Sequence, residues 1–306
     1  MSLAHQPVLY KEIIHALQPR RGGRYVDCTL GAGGHARGIL EACTPDGLLL
    51  GLDLDPQALA LARETLAPFE GRVRLVQASH TTLREQLAAA GWDAVDGTLL
   101  DLGASSMQFD SAERGFSFLQ DGPLDMRFDL KSLQTAADLV NNLAEKDLAA
   151  LIFENGEEKR SRRIARAIVA NRPFHTTREL SEVIEKAAPR RGERLHPATR
   201  TFQALRIAVN DELAALEKTL PQAVEGLRSK GRCAVISFHS LEDRIVKNFF
   251  KEQSQEKINP LYERIHEHER KAVVYLVNRK PITPSEHEMR ENPRARSAKL
   301  RVIEKV

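Results

Sequence analysis

Three short apolar runs in the first hundred residues each carry an aspartate at their carboxyl end, and their spacing constrains the fold more than any other feature. Arg24 to Cys28 contains Asp27 and runs into the turn Thr29-Leu30-Gly31-Ala32-Gly33-Gly34-His35, Leu48 to Leu52 ends at Asp53, and Val95 to Leu102 contains Asp101. Helical patterns separate them, at Gly33 to Glu41, at Pro56 to Pro68 with Pro56 suited to the first turn, and at Thr81 to Ala90, while Arg72 to Gln77 reads as a further strand. This alternation predicts a parallel, doubly wound sheet. Ligands of such sheets sit beyond the carboxyl ends of the strands, where all three aspartates are placed.

The rhythm stops at about residue 107. From Met107 to Arg206 no buried strand is predicted, and helices are expected over Ala136 to Val140, Glu145 to Glu154, Arg160 to Asn171, Thr177 to Ala188 and Thr199 to Glu217. Alternation resumes with a strand over Gly231 to Phe238 and a helix over Leu241 to Lys251, for which Ser240 is the expected N-cap with Asp243 completing a capping box. Ala272 to Val277 and Leu300 to Ile303 add two strands, suggesting an antiparallel terminal pair. The expected architecture is therefore α/β, a Rossmann-like sheet of seven strands formed by 1–106 and 211–306, with an all-α insertion over 107–210. Before the first strand, a short helix from Tyr10 to Leu17 either lies over the ligand pocket or covers a sheet edge.

Composition excludes several classes. The chain has 306 residues, 42% hydrophobic and 28% charged, with no apolar run long enough to span a bilayer and no signal-peptide pattern, so a cytoplasmic protein is expected. Cys28, Cys43 and Cys233 are odd in number and lack C-x-x-C spacing, so neither a disulfide framework nor a metal site is expected. The net charge of +3 hides an asymmetry. Lys159 to Arg206 holds 13 Lys or Arg against 4 Asp or Glu, which points to a polyanionic partner for the insertion.

Gly31 to Ala36 satisfies the loose G-x-G-x-x-A dinucleotide fingerprint, with Asp53 about twenty residues on to take ribose hydroxyls. Asp27 argues for S-adenosylmethionine instead. A carboxylate four residues ahead of Gly31 can bind an amino-acid ammonium, whereas it repels a pyrophosphate. Asp101 then stands where a methyl acceptor sits. A nucleotide-dependent oxidoreductase and a non-catalytic RNA-binding or ribosome assembly factor are the alternatives. No cysteine lies near the Asp101 loop, so transfer through a thiolate adduct is not expected, and an exocyclic amine or a hydroxyl is the better acceptor. Asp101 can accept a hydrogen bond from an amine and receive its proton.

Long runs carry a more specific signal. Asp27 to His35, Leu100 to Gln108, Arg114-Gly115-Phe116-Ser117-Phe118, Gly122 to Arg127, Asn171 to Phe174, His196 to Arg206, Ile236 to Asp243 and Asn292 to Ser297 resemble the ribosomal RNA small-subunit methyltransferase H family, also called MraW. The resemblance extends from His5 to the C-terminus. It implies a class I methyltransferase that uses S-adenosylmethionine to methylate N4 of a cytosine in the decoding region of 16S rRNA, within the small ribosomal subunit. It places the cofactor on Gly33, Gly34, His35, Asp53, Asp101 and Gln108, to which the residue-level reading adds Asp27 and Gly31. His80 stands where the family usually has a Phe that contacts the cofactor, which makes it a further cofactor candidate that could stack on the adenine, and Met107 stands where the family often has Pro. Amino-methylases commonly carry an Asp/Ser-Pro-Pro-aromatic tetrad at the acceptor loop. Here the loop reads Asp101-Leu102-Gly103-Ala104-Ser105-Ser106, making Asp101, Ser105 and Ser106 the candidate catalytic set.

Phe116 and Phe118 are candidates to stack an unpaired base, or else one face of a buried strand. Arg127, Arg194, Arg200 and Arg206 are candidate RNA contacts. His239 either touches substrate or orients a helix cap. A homodimer is compatible with the chain. Tyr262, His266 and His268 receive no role.

Overall fold

A computed structural model describes residues 7–189, 196–256 and 271–306. The chain folds into two compact units, 1–103 with 213–306, and 104–212. The first begins with α1 (Tyr10–Leu17), β1 (Arg24–Asp27), α2 (Gly34–Ala42), β2 (Leu48–Asp53), α3 (Pro56–Leu66), β3 (Val73–Gln77), α4 (Leu83–Ala89) and β4 (Val95–Asp101). Pro56 does occupy the first turn of α3, and Asp55 caps that helix by accepting the Gln57 N–H at 2.9 Å.

The second unit is helical. It comprises α5 (Ser106–Asp110), α6 (Ala136–Asn142), α7 (Glu145–Gly156), α8 (Ser161–Ala170), α9 (Thr177–Ala187) and α10 (Thr199–Asn210). Its core gathers Leu139, Leu148, Ile152, Ile164, Ile168, Leu180, Ile184 and Leu205. The chain then passes through α11 (Glu212–Glu225), β5 (Leu227–Ser237), α12 (Ser240–Gln253), β6 (Val274–Leu276), α13 (Glu286–Glu291) and β7 (Lys299–Lys305).

The seven strands lie in the order β3-β2-β1-β4-β5-β7-β6. The first five are mutually parallel, β7 runs antiparallel to β5, and β6 pairs antiparallel with β7 at the edge. One apolar layer joins α1, α2 and α3 to the sheet through Leu9, Ile13, Ile39, Leu59 and Leu99. The other joins α4, α11 and α12 through Leu83, Leu87, Leu220, Val224, Val246 and Phe250. The strand order changes direction at β1 and β4, which puts a ligand crevice at the carboxyl ends of those two strands.

Several sequence expectations are corrected. The helix expected over Thr199 to Glu217 breaks at Asp211, which adopts φ +49°, and Arg206 bridges the break by donating twice to Glu212 at 2.8 Å. Asp reaches the left-handed region at lower cost than most residues. The strand expected from Gly231 begins at Leu227, because Leu227 pairs with Val95 ahead of a register shift that accommodates Lys230 at φ +62°. His239, not Ser240, caps α12, and Glu242, not Asp243, completes the box. The sequence reading did not anticipate α13. Phe116 and Phe118 lie on no strand. Phe116 stacks on Phe128 at 5.5 Å, and Phe118 meets Phe202 edge-on at 5.0 Å.

Gly122 shows how tightly the loops of the helical unit are wound. A Cβ there would strike the Ala112 carbonyl oxygen, and the Gly122 N–H and carbonyl are both bound to Thr177. Gly122→Ala is expected to cost roughly 1–3 kcal/mol or more through forced backbone movement. Denaturant unfolding checks this, and an unchanged midpoint would refute the clash.

Candidate functional site

The loop after β1 builds the site. Cys28 N–H donates to the Leu99 carbonyl and Leu30 N–H to the Leu52 carbonyl, so the chain leaves β1 held between β4 and β2. Gly31 then turns at φ +53° and Gly33 at φ +82°, values that favour glycine. The two glycines have different reasons to be small. A Cβ at Gly33 would press on Leu66, and one at Gly34 would collide with Pro7, whereas one at Gly31 would meet nothing within 4 Å. Gly31 therefore borders open space, while Gly33 and Gly34 serve close approach inside the fold. Gly33 caps α2 without a side-chain hydrogen bond, leaving the first-turn amides of that helix for a polar group.

Four ionisable side chains converge beyond this turn. Asp53 accepts the Gly31 N–H on Oδ2 and the Asp55 N–H on Oδ1, each at 2.8 Å, and burial raises its pKa. Each oxygen keeps acceptor capacity for a hydroxyl. Asp27 is 1% exposed and accepts the Thr29 N–H at 3.2 Å. Burial pushes its pKa up to about 7, opposed by nearby His35 and the Thr29 bond and reinforced by Asp101 and Asp53. The Asp101 N–H donates to the Thr29 hydroxyl at 2.6 Å, which ties the end of β4 to the glycine loop. Asp101 Oδ2 lies 3.6 Å from His35 Nε2.

Among the described residues, buried His35 Nδ1, His35 Nε2 and Asp101 Oδ1 have no hydrogen-bond partner. Leaving such atoms unpaired costs about 1–3 kcal/mol each, so this corner suits a polar ligand or ordered water. Tyr10 stacks over His35 with ring centroids 6.3 Å apart. Together with Pro7 against Gly34, this places the N-terminal segment over the start of α2.

His80 follows β3 on the same unit. Its Nδ1 lies 2.7 Å from the Thr219 hydroxyl, which itself donates to the Ala215 carbonyl at 2.8 Å. The Thr219 oxygen must therefore accept, so His80 carries its proton on Nδ1 and presents Nε2 as an acceptor. Burial lowers its pKa to about 4. His239 spends Nδ1 on the N–H of Glu242, at 3.4 Å, in capping α12.

In the helical unit, Ser105 caps α5 by accepting the Gln108 N–H at 3.3 Å, and the Gln108 side chain returns the bond to the Ser105 N–H at 2.9 Å. Both residues thus shape the loop after Asp101, with Ser106 in the first turn of the helix. Arg127 is bound to Asp125 and to the carbonyls of Leu130 and Ser132, and Arg206 to Glu212. Arg200 is exposed and donates to the Glu157 carbonyl at 3.2 Å. Arg162 and Arg163 are exposed on α8. Arg190, Arg191, Arg194, Tyr262, His266 and His268 lie outside the described residues. The sequence reading missed the roles of Thr29 and Thr219. Thr29 lay inside the quoted glycine motif, but Thr219 carried no local signal.

The MraW methylase family model matches residues 2–306. The ribosomal RNA small subunit methyltransferase H of Geotalea uraniireducens is 54% identical over 99% of this chain and 98% of its own. The protein of the same name from Geobacter sulfurreducens is 52% identical over the full length of both chains. Among solved structures, an rRNA methylase from Streptococcus thermophilus aligns over 99% of each chain at 10% identity and a TM-score of 0.44.

Two measurements probe the site electrostatics. Asp27 holds its proton more tightly folded than unfolded, so the stability it lends is present below about pH 4 and lost as pH rises through about 7, roughly 4 kcal/mol in all. Asp27→Asn should accordingly be more stable than the parent at pH 8, with the gap closing toward pH 4. Denaturant midpoints across pH check this, and a pH-independent difference would refute it. His80 behaves in the opposite sense, its contribution being lost as pH falls from about 6.5 through 4. Nitrogen NMR should find His80 neutral at pH 5.5 with its proton on Nδ1.

Proposed function

Because the chain belongs to the MraW methylase family, we propose that it is an S-adenosylmethionine-dependent methyltransferase of 16S rRNA whose acceptor is the exocyclic N4 of a cytidine in the decoding region. The observation that carries the acceptor chemistry is Asp101, at the carboxyl end of β4, with Oδ1 buried and unpartnered. A carboxylate in that state gains a hydrogen bond when an amino group arrives. Thiolate chemistry has no support. Cys28, Cys43 and Cys233 are buried, and burial raises all three thiol pKa values, that of Cys233 to about 12.

The residues fit the cofactor class. The open face of Gly31, the uncapped start of α2 and the remaining acceptor capacity of Asp53 suit the amino-acid and ribose portions of S-adenosylmethionine, and the Nε2 acceptor of His80 suits an adenine amino group. Asp27 lies buried at the same strand ends and interacts electrostatically with His35 and Asp101. When bound, the cofactor supplies an electrophilic methyl group on a sulfonium.

The chain's own part is positioning and proton handling. Asp101 accepts one N–H of the cytosine amine, which localises the nitrogen lone pair, and it receives the proton released as the nitrogen is alkylated. His35 Nε2 stands 3.6 Å from the same carboxylate and helps to fix its orientation at the end of β4. The helical unit is the proposed RNA-recognition domain, with Arg162, Arg163 and Arg200 among its exposed cations. A cytoplasmic location and action on the small ribosomal subunit follow from this reading. No described helix is long and apolar enough to cross a membrane.

Incubation with a labelled methyl donor and small-subunit rRNA or particles, then nucleoside mass spectrometry, tests the reaction. N4-methylcytidine is expected. Methyl on carbon 5 or on ribose would overturn the acceptor assignment, and no transfer to any RNA would leave an assembly or binding role. Asp101→Asn should lower turnover by about 10²- to 10⁴-fold while calorimetry finds donor affinity reduced far less. Near-parental turnover would remove Asp101 from the chemistry.

A further inference from the structure

At the edge of the sheet, away from the glycine turn, α12, β6 with the segment after it, and β7 line an open groove of about 210 Å³. Its apolar wall is Phe250 and Leu276, and its rim is Lys247, Lys251 and Arg279. These three cations are exposed and form no ion pair with any described carboxylate. Lys247 and Lys251 are four residues apart on one helix face, a spacing at which like charges repel. Asp243, one helical turn before Lys247, is already paired. It accepts Arg301 Nε at 2.7 Å and Lys299 Nζ at 3.1 Å, so Arg301 enters the groove wall with its charge paired. From Lys271 to Ser285 the chain adds Lys271, Arg279 and Lys280 and no acid.

The groove is built into the same sheet as Asp101. Asn278, in its wall, bonds the Leu300 carbonyl at 3.0 Å and the Val302 N–H at 2.7 Å, and Leu300 pairs with Ile236, which pairs with Asp101. The row Asp101–Ile236–Leu300 thus runs across the sheet toward the groove. From β4 to β6 is three strand spacings, roughly 14 Å, a distance that a few nucleotides of single strand cover.

We propose that this groove is a second RNA-binding surface, carried by the sheet-containing unit itself, which grips the phosphodiester backbone of the substrate strand beside the target base. The proposal rests on the rRNA reading above and deepens it. Two lysines and an arginine with no described carboxylate partner, around a concave and partly apolar floor, match a polyanion that also presents sugar and base faces. Phosphate gripped here holds the strand in register with Asp101, so the helical unit need not supply all of the affinity.

The test is a Lys247→Glu/Lys251→Glu/Arg279→Glu variant of the full chain, with the corresponding Gln/Gln/Gln variant as a milder form. Fluorescence anisotropy with a fluorescent small-subunit rRNA fragment, across a salt series, reads affinity and its slope. Loss of three phosphate contacts should lower the logarithmic salt slope by about 2 and affinity by about tenfold or more near 0.1 M salt. The Gln form should show the same direction and a smaller loss. Thermal unfolding and calorimetric binding of the methyl donor should match the parent. Parental RNA affinity and slope in both folded variants would overturn the proposal, as would unchanged binding of naked rRNA with methylation lost only on assembled particles, which would assign the groove to a protein surface. If the parent chain bound no RNA in a salt-dependent way, the rRNA reading itself would fail, an outcome distinct from failure of the groove.

Discussion

Carboxylates gathered at the ends of β1, β2 and β4 must be kept in a low-dielectric corner, and much of the sheet-containing unit is arranged to do so. Burying unpaired charge is expensive, and the chain meets that cost in three ways. Asp53 is supplied with backbone N–H groups from the turn and from the residue that caps α3. Asp27 stays largely protonated below neutral pH. Asp101 stands against an imidazole whose nitrogens have no hydrogen-bond partner among the described residues. The unsatisfied part of this arrangement is the part that faces a ligand, which is why the same geometry that costs stability can favour binding.

The arginines divide by availability, a distinction that charge counting does not make. Arg114, buried, donates to the Arg127 carbonyl, Arg172 donates to the carbonyls of Val140 and Leu143, and Arg127 and Arg206 are held by carboxylates of their own unit. These guanidiniums act as struts, using the planar fork to join several acceptors at once. The positive excess of the insertion is therefore smaller in effect than in sum, with Arg162 and Arg163 among those still presented to solvent. Exposed cations with no described carboxylate partner also occur where the net count is unremarkable, around Lys247, Lys251 and Arg279.

Local pattern was sufficient wherever short-range physics decides. The apolar run of β2, Pro56 at the start of α3, the positive-φ glycines and the seven-stranded count could all be read in the sequence, because burial periodicity and backbone sterics are properties of neighbouring residues. It failed where distant partners compete for a residue. Phe116 and Phe118, two apart and aromatic, resembled a strand face or a base platform, yet Phe128 and Phe202 claim them for the helical core. His239 won the cap of α12 from Ser240 because Glu242 could return the bond. Asp211 breaks a continuous helical pattern at the passage between units, a turn the local sequence gives little sign of.

By itself, then, the sequence determined the strand-ending aspartates, the glycine turn, the methylase family to which its long runs point and the helical character of the insertion. Tertiary structure alone decided that His35 and Asp101, 66 residues apart, meet at 3.6 Å with their remaining polar atoms unpartnered, that Thr219 fixes the tautomer of His80, and that three cations from α12 and the segment after β6 surround one groove. The reason is that ionisation and hydrogen-bond satisfaction depend on distance and burial in space, and a parallel sheet with long crossovers brings residues together whose separation along the chain carries no trace of it.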